Sequence, residues 1–143
     1  FPLEPIISNP QSVVQGDSAT VSFDFTDGDA DIGLDPGDTT GIHAPDSFYY
    51  YNIYLDYFEK DDVLGWIPGT DINGENVSFG YRIKPISVSE NTEGISGRID
   101  VSIEPTYRNS LSPESDTVMF KIRLIDRALN ISNVLETDEL IAQ

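Results

Sequence analysis

The chain has no cysteine and only one histidine, one tryptophan and one methionine in 143 residues. Without cysteine there is no disulfide, no thiol nucleophile and no Cys-based zinc site. A lone histidine, His43 in a Gly/Pro-rich loop, excludes a His pair at zinc-ligand spacing, and no Gly-x-Ser-x-Gly elbow occurs. Nothing selects a carboxylate pair for glycoside hydrolysis, so the chain is read as no enzyme. Basic residues are scarce, with 8 Lys+Arg against 25 Asp+Glu and a net charge of −17. That charge repels phosphates, which argues against nucleic-acid binding and unaided binding to anionic membranes, and it attracts cations. No apolar run approaches the ~20 residues of a membrane helix. The opening Phe1-Pro2-Leu3-Glu4-Pro5 lacks the basic and apolar regions of a signal peptide, so the chain is expected to be a mature or trimmed fragment whose anchor has been removed. Its length fits one domain over residues 1–143.

What is present is alternation. Ala19, Val21, Phe23 and Phe25 are apolar, and Thr20, Ser22, Asp24 and Thr26 between them are polar. That period of two marks a half-buried strand. Ile95–Ile103, Val118–Ile125 and Val77–Lys84 repeat it, whereas no window shows a helical period. The aromatic run Phe48–Lys60 reads as the longest strand, with Tyr49, Tyr51, Ile53, Leu55 and Tyr57 facing the core. Asn73-Gly74 signals a type I′ hairpin turn. After an opening extended segment near 6–14, strands are expected near 18–26, 48–60, 64–68, 76–86, 94–104, 116–126 and 131–140. Seven to eight short antiparallel strands predict an all-β fold, an immunoglobulin-like β-sandwich.

The one long loop, 27–47, carries the main chemical signal. Five of the twelve residues from 27 to 38 are Asp, where the chain average would give about two, and no Lys or Arg occurs between residues 1 and 59. Carboxylates so close must be solvated or bridged by a cation. Ca²⁺ takes six to eight oxygens from carboxylates, carbonyls and water on a backbone bent by glycine. Asp27, Asp29 and Asp31 supply carboxylates at alternate positions, and Gly28, Gly33 and Gly37 supply bends. The spacing resembles an EF-hand loop without its helices, with Asp38 at the twelfth position. It departs at the sixth, where Ile32 stands in place of glycine. Asp126 has the core-face parity of Leu124 and yet is charged, so it needs a partner or a metal. In an immunoglobulin-like order the loops after the second and second-to-last strands share one end. Asp126 and Asn130 would then meet the acidic loop. The expected ligands of a structural Ca²⁺ are Asp27, Asp29, Asp31 and Asp126, with Asp35, Asp38 and Asn130 as second choices. Mg²⁺ suits the set less well, since it keeps its waters.

Tyr50, Tyr54 and Phe58 fall at i, i+4 and i+8 on the other face of the aromatic strand, with Trp66 near them. If open, that row is a ligand-binding surface for a glycan or a protein; if covered, it only shields the sheet.

Two segments resemble a known group. Phe23-Asp24-Phe25-Thr26-Asp27-Gly28-Asp29-Ala30-Asp31-Ile32-Gly33, together with Asp116-Thr117-Val118 through Asp126-Arg127-Ala128-Leu129-Asn130-Ile131-Ser132-Asn133, is similar to secreted lipoproteins of the Bacteroidetes. Those are small immunoglobulin-like domains, mostly of unassigned function, that follow a lipid-modified Cys. The resemblance implies export to the cell envelope or surface, with membrane attachment only through a lipid anchor absent from this chain. Asp17-Ser18-Ala19, Asp38-Thr39-Thr40 and Asp116-Thr117-Val118 are similar to the O-glycosylation sequon of that group, and Asn76-Val77-Ser78 and Asn130-Ile131-Ser132 match the N-glycosylation pattern. The expected role is a binding or adhesion module for a protein or glycan; a structural spacer is the alternative.

Overall fold

The computed structural model describes residues 4–15, 18–28, 31–85, 94–103, 112–114 and 116–141. Among them are nine strands: β1 (Ile6–Gln15), β2 (Ser18–Asp27), β3 (Ile53–Asp61), β4 (Gly65–Pro68), β5 (Ser78–Tyr81), β6 (Ile95–Ile103), β7 (Thr117–Leu124), β8 (Leu135–Glu136) and β9 (Leu140–Ile141). The helical content of the described residues is two single 3₁₀ turns, Gly41–His43 and Phe48–Tyr50.

The strands form two antiparallel sheets, β1-β2-β6 and a six-stranded sheet running β4-β3-β7-β8, in which β5 also pairs with β3 and β9 with β7. The period-two pattern explains the packing. Val21, Phe23 and Phe25 of β2 and Ile99, Val101 and Ile103 of β6 meet Ile53, Leu55 and Tyr57 of β3 and Val118, Phe120, Ile122 and Leu124 of β7 in one core. The chain is an all-β sandwich. Truncating a core ring such as Phe23, which is fully buried, costs about 3–5 kcal/mol through lost transfer energy and a cavity.

Three expected strands take another form. Residues 48–50 are a 3₁₀ turn capped by the Ser47 hydroxyl, which accepts from the Tyr49 N–H at 3.1 Å, so β3 begins only at Ile53. Tyr49 and Tyr51 are consequently half-buried outside the core. The segment 131–140 yields two strands of two residues each because hydroxyls replace carbonyls in the β7 ladder. Leu124 N–H donates to Ser132 Oγ at 2.9 Å, and Phe120 N–H donates to Thr137 Oγ1 at 3.0 Å. The segment 76–86 joins β3 as a strand over Ser78–Tyr81, with Asn76 in an isolated bridge to Thr70, and residue 86 lies outside the described residues.

One edge of β3 changes partner midway. Residues 53–56 pair with β5, and 58–61 pair with β4. At the junction Gly69 N–H donates to Tyr57 O, Tyr57 N–H to Val77 O and Val77 N–H to Gly69 O, each at 3.0 Å. The residues between leave as a hairpin closed by a Thr70–Asn76 bridge. A side chain at Gly69 would strike the Tyr57 ring at 2.2 Å. The hairpin turn is not type I′, which requires positive φ at both central residues. Gly74 alone is left-handed, at φ 81°, and its N–H donates to Asp71 O at 3.1 Å. This is the longer loop of a type I turn followed by a glycine bulge.

The two sheets are also tied by a side chain. The Asn133 amide accepts from Ile7 N–H at 2.8 Å and donates to Ile7 O at 2.9 Å, mimicking a strand neighbour for β1.

Candidate metal centre

The alternation that sends Val21, Phe23 and Phe25 inward sends Asp27 inward too, and it is 0% exposed. Asp126, just past β7, is 3% exposed. Its turn is tight, with Leu129 at φ 72° and Leu129 N–H donating to Asp126 O at 3.1 Å. The Asp126 carboxylate accepts from Asn130 N–H at 2.8 Å and from the Asn130 side-chain amide at 3.0 Å. Asp31 joins the two segments. Its N–H donates to Asp27 Oδ2 at 3.0 Å, its carbonyl accepts from Arg127 N–H at 3.0 Å, and its Oδ2 accepts from Ala128 N–H at 3.0 Å.

Asp27, Asp31 and Asp126 thereby bring one carboxylate oxygen each within 4.8 Å of the others. Like charges at that range repel by a few kcal/mol per pair at an effective dielectric constant of about 20. Burial, and then the adjoining Asp27 carboxylate, push the Asp31 carboxyl up to about 6, against the pull of the Ala128 N–H. Asp31 Oδ1 is shut off from solvent and receives no N–H or O–H hydrogen bond. Carboxylate oxygens so placed call for a shared proton or a cation between them.

Of the other expected ligands, Asp35 and Asp38 lie elsewhere. Asp29 is outside the described residues. Asp38 Oδ2 pairs with Arg127 Nη1 at 2.8 Å and accepts from Asp35 N–H at 2.9 Å, which holds its carboxyl below the usual range. Asp35 is exposed. Asn130 donates to the Asp126 carboxylate through both its backbone N–H and its side-chain amide.

Two arginines unforeseen in the sequence organise the long loop. Arg127 spans from Asp38 to the Gly33 carbonyl, 3.3 Å away. Arg82 donates to the carbonyls of Tyr50, Asp35 and Asp38 at 2.6, 3.0 and 3.0 Å, and its guanidinium lies 4.4 Å from the Tyr50 ring centre. Gly33, at φ 111°, presses against the Lys84–Pro85 backbone, where a Cβ would come within 2.3 Å. Ile32 and Leu34 on either side are buried. A signal did exist for the arginines: with no cation in the first 59 residues, the loop's charge had to be met by later ones.

Tyr50, Tyr54 and Phe58 do not form one open row. Tyr50 belongs to the 3₁₀ turn under Arg82. Tyr54 stacks on Phe48 at 4.8 Å, donates its hydroxyl to Phe48 O at 2.6 Å and lies 5.2 Å from the Arg123 guanidinium. Phe58 carries the Lys121 ammonium 4.5 Å from its ring centre. His43 Nδ1 lies 3.0 Å from Tyr49 O, inside the same loop. Among the sequons, Asp17 is outside the described residues, Thr39 is half-buried and Thr117 lies within β7.

No family model, curated protein or solved structure matches this chain.

Proposed function

We propose that this chain is a non-catalytic, immunoglobulin-like module of the cell envelope, built for binding or adhesion, whose pole holds one structural Ca²⁺ between Asp27, Asp31 and Asp126. The observation that carries the reading is the convergence of three carboxylate oxygens within 4.8 Å from segments almost a hundred residues apart. The unbonded Asp31 Oδ1 supports it, as an acceptor facing a like-charged neighbour. A hard cation with oxygen ligands suits this donor set, with backbone carbonyls and water completing the shell. The ion would remove the mutual repulsion and fasten the long loop to the turn after β7. At a hundred times Kd it would stabilise the fold by about 2.7 kcal/mol. The envelope location rests on the sequence resemblance alone.

Thermal melting with millimolar Ca²⁺ and again with excess EGTA tests the reading. A Ca²⁺-dependent rise in Tm is expected, lost in both Asp31→Asn and Asp126→Asn. Loss in Asp31→Asn alone would reduce the site to the loop. An unchanged Tm in the unmodified chain would remove the ion altogether.

A further inference from the structure

The partner change along β3 leaves a cleft of about 260 Å³ on the sheet, lined by Asp56, Phe58, Pro68, Asn76 and Ser78, with the 70–76 hairpin rising beside it. It lies three to five residues along β3 from Ile53, whose pairing partner Leu124 is two residues short of Asp126. At strand spacing that is ~10–17 Å along the sheet, so it is a separate place from the three-carboxylate pole.

The lining narrows the ligand by charge. Anions face a chain of net charge −17 and the carboxylate of Asp56, and the ammonium beside Phe58, that of Lys121, is shared with Glu136 at 3.8 Å. Cations find that carboxylate already answered, since Arg123 Nη2 lies 3.1 Å from Asp56 Oδ2 and Ser78 Oγ donates to Oδ1 at 2.6 Å. A neutral molecule remains. The polar lining offers what a polyol needs: carboxylate lone pairs that accept from hydroxyls, an exposed amide at Asn76 that both donates and accepts, and a serine hydroxyl. The apolar lining, Phe58 with Pro68, suits the C–H face of a sugar ring. Size sets the upper bound. Pockets for drug-sized ligands enclose ~300–1,000 Å³, so a cleft of about 260 Å³ takes one ring and not a chain of them.

We propose that this cleft binds a single neutral pyranose unit, such as the terminal residue of a glycan, through Asp56, Asn76 and Phe58. The site makes the binding role concrete and is independent of the cation: it stands whether or not the pole holds Ca²⁺. Of the row Tyr50, Tyr54 and Phe58 read from the sequence, Phe58 alone lines it, beside the core ring of Tyr57.

Backbone-amide NMR of the full chain, with and without Ca²⁺, tests the proposal. The probes are N-acetylglucosamine, galactose and mannose, with glucuronate and sulfate as charged comparisons. At least one neutral sugar should shift the amides of Phe58, Val77 and Ser78 with a millimolar Kd. Asn76→Ala, a change at an exposed position, should weaken that Kd about tenfold, the worth of a well-made hydrogen bond. Phe58→Leu should weaken it comparably while keeping the apolar volume. Ile72→Ser, on the same hairpin outside the cleft, should bind as the unmodified chain does. The proposal is overturned if no neutral sugar shifts these amides, if glucuronate or sulfate binds more tightly, or if Asn76→Ala and Phe58→Leu leave Kd unchanged. Ca²⁺ dependence of sugar binding would overturn the independence of the two sites.

Discussion

Asp31 keeps its proton to about pH 6, well above the ordinary carboxyl value of 3.8. A carboxyl raised in this way binds its proton more tightly in the folded state. Its stabilising contribution is therefore complete below about pH 4 and lost as pH rises through about 6. Ca²⁺ works in the opposite sense, because a ligand must be ionised. A group of pKa about 6 is about 90% ionised at pH 7 and about 10% at pH 5. Apparent Ca²⁺ affinity should then fall about tenfold between those values, with proton release visible by calorimetry in buffers of different ionisation heat. An affinity independent of pH would remove Asp31 from the ligand set. Asp126 is held differently, by the two Asn130 donors. Asn130→Ala should weaken Ca²⁺ binding while Asp38→Asn should not, since Asp38 faces Arg127. A titration of the two variants separates them.

At the scale of elements, the segment 131–141 shows how side chains can keep a broken strand attached. Thr137 is buried, with Oγ1 serving Phe120 N–H and its own N–H serving Phe120 O at 3.0 Å. Thr137→Val preserves shape but orphans the Phe120 N–H, and should cost about 1–3 kcal/mol. Urea unfolding would read this, and a loss within error would assign Phe120 another partner. The same segment marks the boundary of what sequence periodicity could reveal. Alternation gave the long strands their faces, down to the inward charge of Asp126, because a pleated strand buries every second side chain whatever its chemistry; the same rule buries Asp27, which the sequence reading takes only as a loop carboxylate. It could not foresee hydroxyls in the ladder. It also misread Phe48-Tyr49-Tyr50, whose aromatic composition favours a strand. There the Ser47 cap and the Arg82 guanidinium, more than thirty residues away, hold a turn instead. Asp38 was assigned to the ion for a similar reason: its cation, Arg127, is 89 residues distant in sequence.

For the whole molecule, charge is the dominant condition. With 25 acidic residues and 8 basic ones, the folded chain repels itself, and cations should favour it generally as well as at one pole. Raising NaCl from about 0.02 to about 0.5 M shortens the screening length from about 20 to about 4 Å. In EGTA this should raise Tm, and it should shrink the further rise given by Ca²⁺ only slightly, since a buried site is screened little. A Tm indifferent to salt would mean that the local ion pairs, such as Arg98–Asp24 at 2.7 Å, already balance the surface. The outermost strands differ in another respect. β1 is registered on β2 through eight residue pairs and clasped across the sandwich by Asn133, whereas β9 is held to β7 by two. A pull on the two ends would load both strands at once, and β9, with fewer pairs, would yield before β1. Because Leu140 of β9 belongs to the core, that first yield uncovers one side of the apolar interior instead of sparing it.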